Sequence, residues 1–391
     1  MKSSRRRWLV WGGALALLLA GGGWLGRQGW LPGETAAGRA VAGAAPGHAR
    51  LAADAPASAA LRGKASPAGD SVAASAPAGT DDDAIPPEGL EVCGVRRVSA
   101  DELRRWKADP ARGRAEADKV SEQMQRVGDA ALARLAARLA AGDERQQVAA
   151  RLLMQDRDGA ALLAARSSDA LAYQMALTAC GGPGGDTPHC ARLTPQRWAA
   201  LDPSDARPWL RLMAAAQQRQ DAAGVAAALA EAAARPALSR GQFLLERQAV
   251  AVAGAVPDAA AIGNALVAII GMDAAMPGFD LGAPLRACRG DALRDTTRLA
   301  QCRALARQVL ANATDLGEAT VAQELADRVG VPREQQAHDA ATLKAAQDRY
   351  LERALTDIGS DCAAMQRLKR LSTERVATGE LGMALSLLPA R

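Results

Sequence analysis

The chain has 391 residues and a mass of 40.4 kDa, enough for two ordinary domains or one extended repeat domain with tails. Hydrophobic residues supply 49% of it, but roughly a quarter of all residues are alanine and aromatics reach only 3%, which argues against a β-sandwich or barrel and against most aromatic-lined cofactor pockets. The net charge is +5, with only six lysines among 48 basic residues; this arginine bias beside alanine excess reads as genome composition, and no basic patch with interleaved aromatics calls for a nucleic-acid partner.

Residues 1–30 read as a basic tip followed by a membrane segment. Lys2, Arg5, Arg6 and Arg7 precede an uncharged run over residues 8–26, close to the ~20 residues a helix needs to cross a bilayer. Trp8, Trp11, Trp24 and Trp30 flank the run, where interfacial indoles belong. The positive tip is expected to stay in the cytoplasm, which places the remainder in the periplasm of a bacterium, held by a single pass through the inner membrane. An uncleaved signal anchor, a cleaved signal peptide and a twin-arginine-like leader (Ser4 to Leu9, with Trp8 for the usual Phe) all fit this segment. Residues 31–90 are dominated by Ala, Gly, Pro and Ser and hold no aromatic, so they are expected to form a disordered linker spanning roughly 40 Å. The acidic run Asp81-Asp82-Asp83 lacks the spaced ligands of a calcium loop and reads as solvated charge.

From residue 91 to 391 apolar residues recur every three or four positions, which predicts an all-α domain behind the anchor and linker. An extended stretch is expected at 91–98. The periodicity then predicts helices near 100–108, 111–140, 144–155, 158–166, 168–179, 194–200, 206–219, 221–234, 240–254, 258–270, 291–311, 316–329, 332–358, 361–375 and 378–387. Ser99 and Glu102 have capping-box spacing, and Ser204 or Asp205 precedes the helix carrying Trp209. The stretch from Arg134 aligns with that from Arg211 at an offset of 77, with Leu135, Val148 and Leu152 matching Leu212, Val225 and Leu229. A third unit spans Leu305 to Val329. Each is helix, short polar turn, helix, and such hairpins must stack to bury their apolar faces.

The segment Leu201 to Pro236 resembles a degenerate tetratricopeptide repeat. Leu201-Asp202-Pro203 is similar to that family's end-of-repeat signal, Trp209 and Leu212 sit at its Trp and Leu spacing, and Ala232 fits its second helix. Met213, Ala216 and Val225 depart from the pattern. The resemblance covers about 36 residues and implies an α-solenoid that binds a partner, with Trp198, Trp209, Arg211, Gln217 and Gln218 as the groove residues to watch.

Six cysteines follow the membrane segment, an even count that suits disulfides in an exported chain. Cys180 and Cys190 bracket a flexible loop, Cys288 and Cys302 would pin a loop to a helix, and Cys93 with Cys362 would clasp the domain's ends. A metal site of Cys180, Asp186, His189 and Cys190 is disfavoured because its spacing is not that of metal ligands. No Gly-x-Ser-x-Gly, His-Glu-x-x-His or Cys-x-x-Cys is present, and of three histidines only His189 and His338 could serve the folded part. His338, one turn after Glu334, reads as a surface histidine paired with a carboxylate. No cofactor, metal or catalytic residue is expected. The leading expectation is a membrane-tethered periplasmic scaffold or adapter for an envelope protein. The alternative is an envelope hydrolase acting on peptidoglycan, which would need two buried acids facing a groove as wide as a sugar chain; a spacer without specific ligand is a third reading.

Overall fold

A computed structural model describes residues 85–182, 185–254, 259–276, 282–357 and 359–389. The expected membrane segment 8–26, nearly all of the linker and the Asp81–Asp83 run lie outside them. Among the described residues no helix is long and apolar enough to cross a membrane.

The described chain is all-α apart from one antiparallel hairpin, β1 (Leu90–Val92) and β2 (Arg96–Val98), which falls where an extended stretch is expected. Helices then follow in close succession: α1 (Ala100–Ala108), α2 (Pro110–Ala140), α3 (Glu144–Leu153), α4 (Arg157–Arg166), α5 (Ala170–Cys180), α6 (Pro195–Leu201), α7 (Arg207–Gln218) and α8 (Ala222–Ala234). After a loop come α9 (Leu244–Ala253), α10 (Ala259–Ala275), α11 (Gly282–Ala287), α12 (Thr296–Asn312), α13 (Leu316–Val329), α14 (Ala340–Asp357) and α15 (Cys362–Ser386).

Most starts are set by one device. An Asp, Ser or Thr side chain accepts the otherwise orphaned N–H of the third helical residue: Ser99 from Glu102, Asp109 from Arg112, Asp143 from Gln146, Asp221 from Gly224, Asp361 from Ala364. Ser99 and Glu102 close the capping box that their spacing suggests. The three short polar turns place α2 against α3, α7 against α8, and α12 against α13, with α8 also packing on α12. Buried alanines make these contacts close. Ala149, Ala160, Ala161, Ala164, Ala172 and Ala176 are all fully buried between α3, α4 and α5. Larger side chains fill what remains, Tyr173 and Trp198 in this first core, and Leu210, Met213, Leu229, Leu305 and Leu325 in a second around α7, α8, α12 and α13.

A further set of contacts joins distant parts of the chain. Helix α10 packs on both α2 and α15, and α9 on α2, α3 and α15. At Gly263 the α10 backbone approaches α15 so closely that a β-carbon would stand 2.5 Å from the Met365 side chain. The β-hairpin sits on the same assembly: the Cys93 N–H donates to Ser360 O at 2.8 Å, and Asn264 Nδ2 donates to Cys93 O at 3.3 Å.

The boundaries differ from expectation in several places, α9 starting at Leu244 and α10 running on to Ala275 among them. Residues 332–339 are not α-helical and hold only a 3₁₀ turn at Arg333–Gln335; Gly330 ends α13 in the left-handed region (φ 69°), Gln336 donates back to Val331 O at 3.0 Å, and the Asp339 cap sets the start of α14. His338 therefore lies in a bend, not on a helix surface. Asp295 caps α12, so residues 290–294 form only a 3₁₀ turn. Helix α11 is additional. The last two predicted helices share one run with a break at Gly379 (φ 79°, ψ 161°), where a β-carbon would meet Thr314 O at 2.7 Å.

Candidate functional site

The groove residues suggested by the repeat resemblance do not converge. Trp198 on α6 is 2% exposed and belongs to the first core. Trp209 is half-buried against the second core, with the Arg235 guanidinium 5.4 Å from its ring centroid. Arg211 Nη2 donates to Thr178 Oγ1 at 3.1 Å, stitching α7 to α5; burial lowers its pKa to about 10, with the neighbouring Arg207 charge adding to the effect. Gln217 is held by α11, donating to Ala283 O at 2.8 Å and accepting from Arg286 Nε at 2.9 Å. Gln218 is exposed. Four of the five serve internal contacts, Trp198 from α6 and the other three from α7, a helix packed on several sides.

The six cysteines stand in the three pairs considered above. Cα–Cα separations are 4.7 Å for Cys93–Cys362, 5.5 Å for Cys180–Cys190 and 5.9 Å for Cys288–Cys302, all within disulfide range. His189, next to Cys190 in sequence, engages Asp158, its Nδ1 lying 2.7 Å from Asp158 Oδ2. The Thr187 hydroxyl, then His189, pulls the Asp158 pKa down to about 2.

The buried polar chemistry lies elsewhere, around the loop between α8 and α9. Arg207 pairs with Glu318, both essentially inaccessible to solvent, and Arg375 pairs with Glu246 through two nitrogens. Asp205 holds the loop by accepting from Ser239 N at 3.0 Å and Ser239 Oγ at 2.6 Å, while Arg207 Nε donates to Ser239 O. Two further acids sit beside the pairs. Asp315 caps α13, accepting Glu318 N at 2.7 Å; burial first, and the adjacent Glu318 charge second, raise its pKa well above the carboxylate range. Asp273 reaches from α10 to the start of α9, accepting Leu245 N at 3.1 Å and Glu246 N at 2.8 Å, and burial raises its pKa to about 7. Phe243, at φ 56°, turns the chain into α9 with the Arg375 guanidinium 4.4 Å from its ring.

Raised carboxyl pKa values mark candidate acid–base sites as well as structural clusters. Here the acids face two arginines and two helix ends. The neighbouring cavity, lined by residues including Phe243, Asp315 and Arg375, holds about 20 Å³, room for about one water and not for a sugar ring. These pairs therefore do not form the sugar-wide, acid-lined groove that a glycosidase would need.

Two larger clefts open on the surface. One, of about 400 Å³, runs over α2, α3 and α4. Ala133, Ala136, Ala137, Ala140 and Ala150 line it, with Leu163 and with Met154, which is 55% exposed. The other, of about 460 Å³, lies between α14 and α15 and is lined by Arg349, Arg353, Arg367, Arg370, Glu352, Leu371 and Leu387. Neither stands out in sequence as a motif. Their signals are rows of alanine at 133, 137 and 140, and of arginine at 349/353 and 367/370, which become faces only once the helices are placed.

Fold and site together define a disulfide-stapled, all-α protein built on helical hairpins. Comparisons with family models, with curated proteins and with solved structures find no match for this chain.

Proposed function

We propose that this protein is a membrane-tethered periplasmic scaffold whose helical domain, related in design to tetratricopeptide-like repeats, binds a helix of another envelope protein without chemistry of its own. The observation that carries the reading is the alanine-lined cleft on α2, α3 and α4. Ala133, Ala137 and Ala140 follow helical spacing along α2, and all three are exposed. Side chains this small let a partner helix approach closely, and exposed Met154 at the rim adapts its shape to what docks. The uncharged run at 8–26 and the linker after it support a domain that searches near the membrane.

The test is photo-crosslinking in cells from a reactive residue placed at position 137 or 154 in the full chain. A reproducible adduct with one other protein is expected, and Ala137→Glu removes the adduct formed from position 154 while the melting curve stays unchanged. Recovery of unmodified protein alone from both positions sinks the reading. Clearing of purified cell wall by the isolated chain would replace it with the hydrolase.

A further inference from the structure

The cleft between α14 and α15 lies apart from the alanine-lined one and has opposite chemistry. Four arginines and one glutamate line it. Arg349 and Arg353 stand one turn apart on α14; Arg367 and Arg370 stand one turn apart on α15. Between them Leu371 and Leu387 give the lining an apolar part. Arg353 Nη2 and Glu374 Oε2 span the two helices at 3.6 Å.

We propose that this cleft binds an acidic peptide segment, seating carboxylates on the arginines and an apolar side chain on Leu371 and Leu387. Guanidinium groups offer a planar fork of donors that matches a carboxylate with two parallel hydrogen bonds. The cleft arginines already hold contacts with protein carboxylates, Arg353 with Glu374 among them, and a ligand carboxylate exchanges with these contacts. Arg349 pairs with Glu352 at 3.0 Å, but the side chains are 59% and 67% exposed, and such a pair holds little free energy in water. A ligand carboxylate entering a partly enclosed cleft can take the place of Glu352 at small cost. The volume of about 460 Å³ lies within the range of pockets that enclose a small ligand or a few residues of a chain.

A phosphate-bearing membrane surface fits less well. Surface binding to lipid presents basic and apolar side chains on one exposed helix face, whereas these arginines and leucines line a cleft between two helices. Among the described side chains of α14, the exposed large apolar one is Leu351, 48% exposed. At about 100° per residue it lies roughly opposite Arg349 and Arg353 on the helix.

Fluorescence anisotropy of the full chain with a labelled peptide alternating Glu and Leu tests the proposal. Saturable binding is expected. It should weaken at least tenfold in Arg349→Glu/Arg370→Glu, weaken as salt rises from 50 to 300 mM, and remain unchanged in Arg151→Glu on the alanine-lined cleft. Circular dichroism melting establishes that each variant is folded. No saturable binding, or equal binding by wild type and the double variant, overturns the proposal. Glycerophosphate binding that the double variant abolishes, with no binding of the Glu/Leu peptide, also overturns it and assigns the cleft to phosphate. Failure of the photo-crosslinking test leaves this measurement unaffected, because the two clefts share no residue.

Discussion

Arg207 and Arg375 hold their carboxylates from positions 111 and 129 residues away, so no local pattern announces either pair. One residue-scale clue exists. Arg207 opens α7, the positive end of the helix dipole, where a cation is unfavourable without an anion to answer it. Because Glu318 is fully buried, Arg207→Ala strands its charge and should cost about 3–5 kcal/mol in urea unfolding, whereas Arg207→Met/Glu318→Leu should recover most of that loss. Asp273 makes a prediction in pH. Its pKa is about 7 in the folded chain and about 3.9 when unfolded. Between those values the folded chain keeps a proton that the unfolded chain has released. The contribution to stability is therefore complete below about pH 4 and is lost as pH rises to about 7. Wild type measured against Asp273→Asn should lose relative stability over that window, and a flat difference would remove Asp273 from the account.

At the scale of elements, the helices were legible because their devices are local. Alanine-rich apolar periodicity marked the bodies, and Ser or Asp caps marked many starts. What was not legible depends on contacts from afar. Helix α9 begins at Leu244 because a carboxylate from α10 receives its first N–H groups, and α15 breaks at Gly379 because Thr314 O occupies the space a side chain would need. The six-residue α11 is too short to show periodicity, and the two surface clefts arise from faces on separate helices. Gly379 carries a backbone conformation that non-glycine residues rarely adopt. Gly379→Ala should cost about 1–3 kcal/mol and loosen the bond from Leu381 N to Thr314 O, which spans 3.0 Å. Gly271→Ala, inside α10 with nothing within 4 Å of the added carbon, should instead stabilise by about 0.5–1 kcal/mol. Thermal melts of the two variants side by side check the contrast, and equal shifts would contradict it.

For the whole molecule, the Cys93–Cys362 bridge joins positions 269 residues apart. Closing so long a loop restricts the unfolded chain and contributes up to ~5 kcal/mol in the entropy model, more than the ten-residue separation of Cys180–Cys190 provides. Cys93→Ser/Cys362→Ser should lower the unfolding midpoint more than Cys180→Ser/Cys190→Ser does. It should also raise hydrogen exchange in the β-hairpin, whose hold on Ser360 is otherwise two hydrogen bonds. The same bridge decides where force travels. A pull on the chain ahead of Cys93 passes through β1 and one covalent link into the first residue of α15, bypassing the chain from β2 to α14. The arginine cleft begins five residues further along, at Arg367. A ligand seated in that cleft would send the part of such a load taken by Arg367 and Arg370 through a disulfide and about two turns of helix, and the remainder through Arg349 and Arg353 into α14.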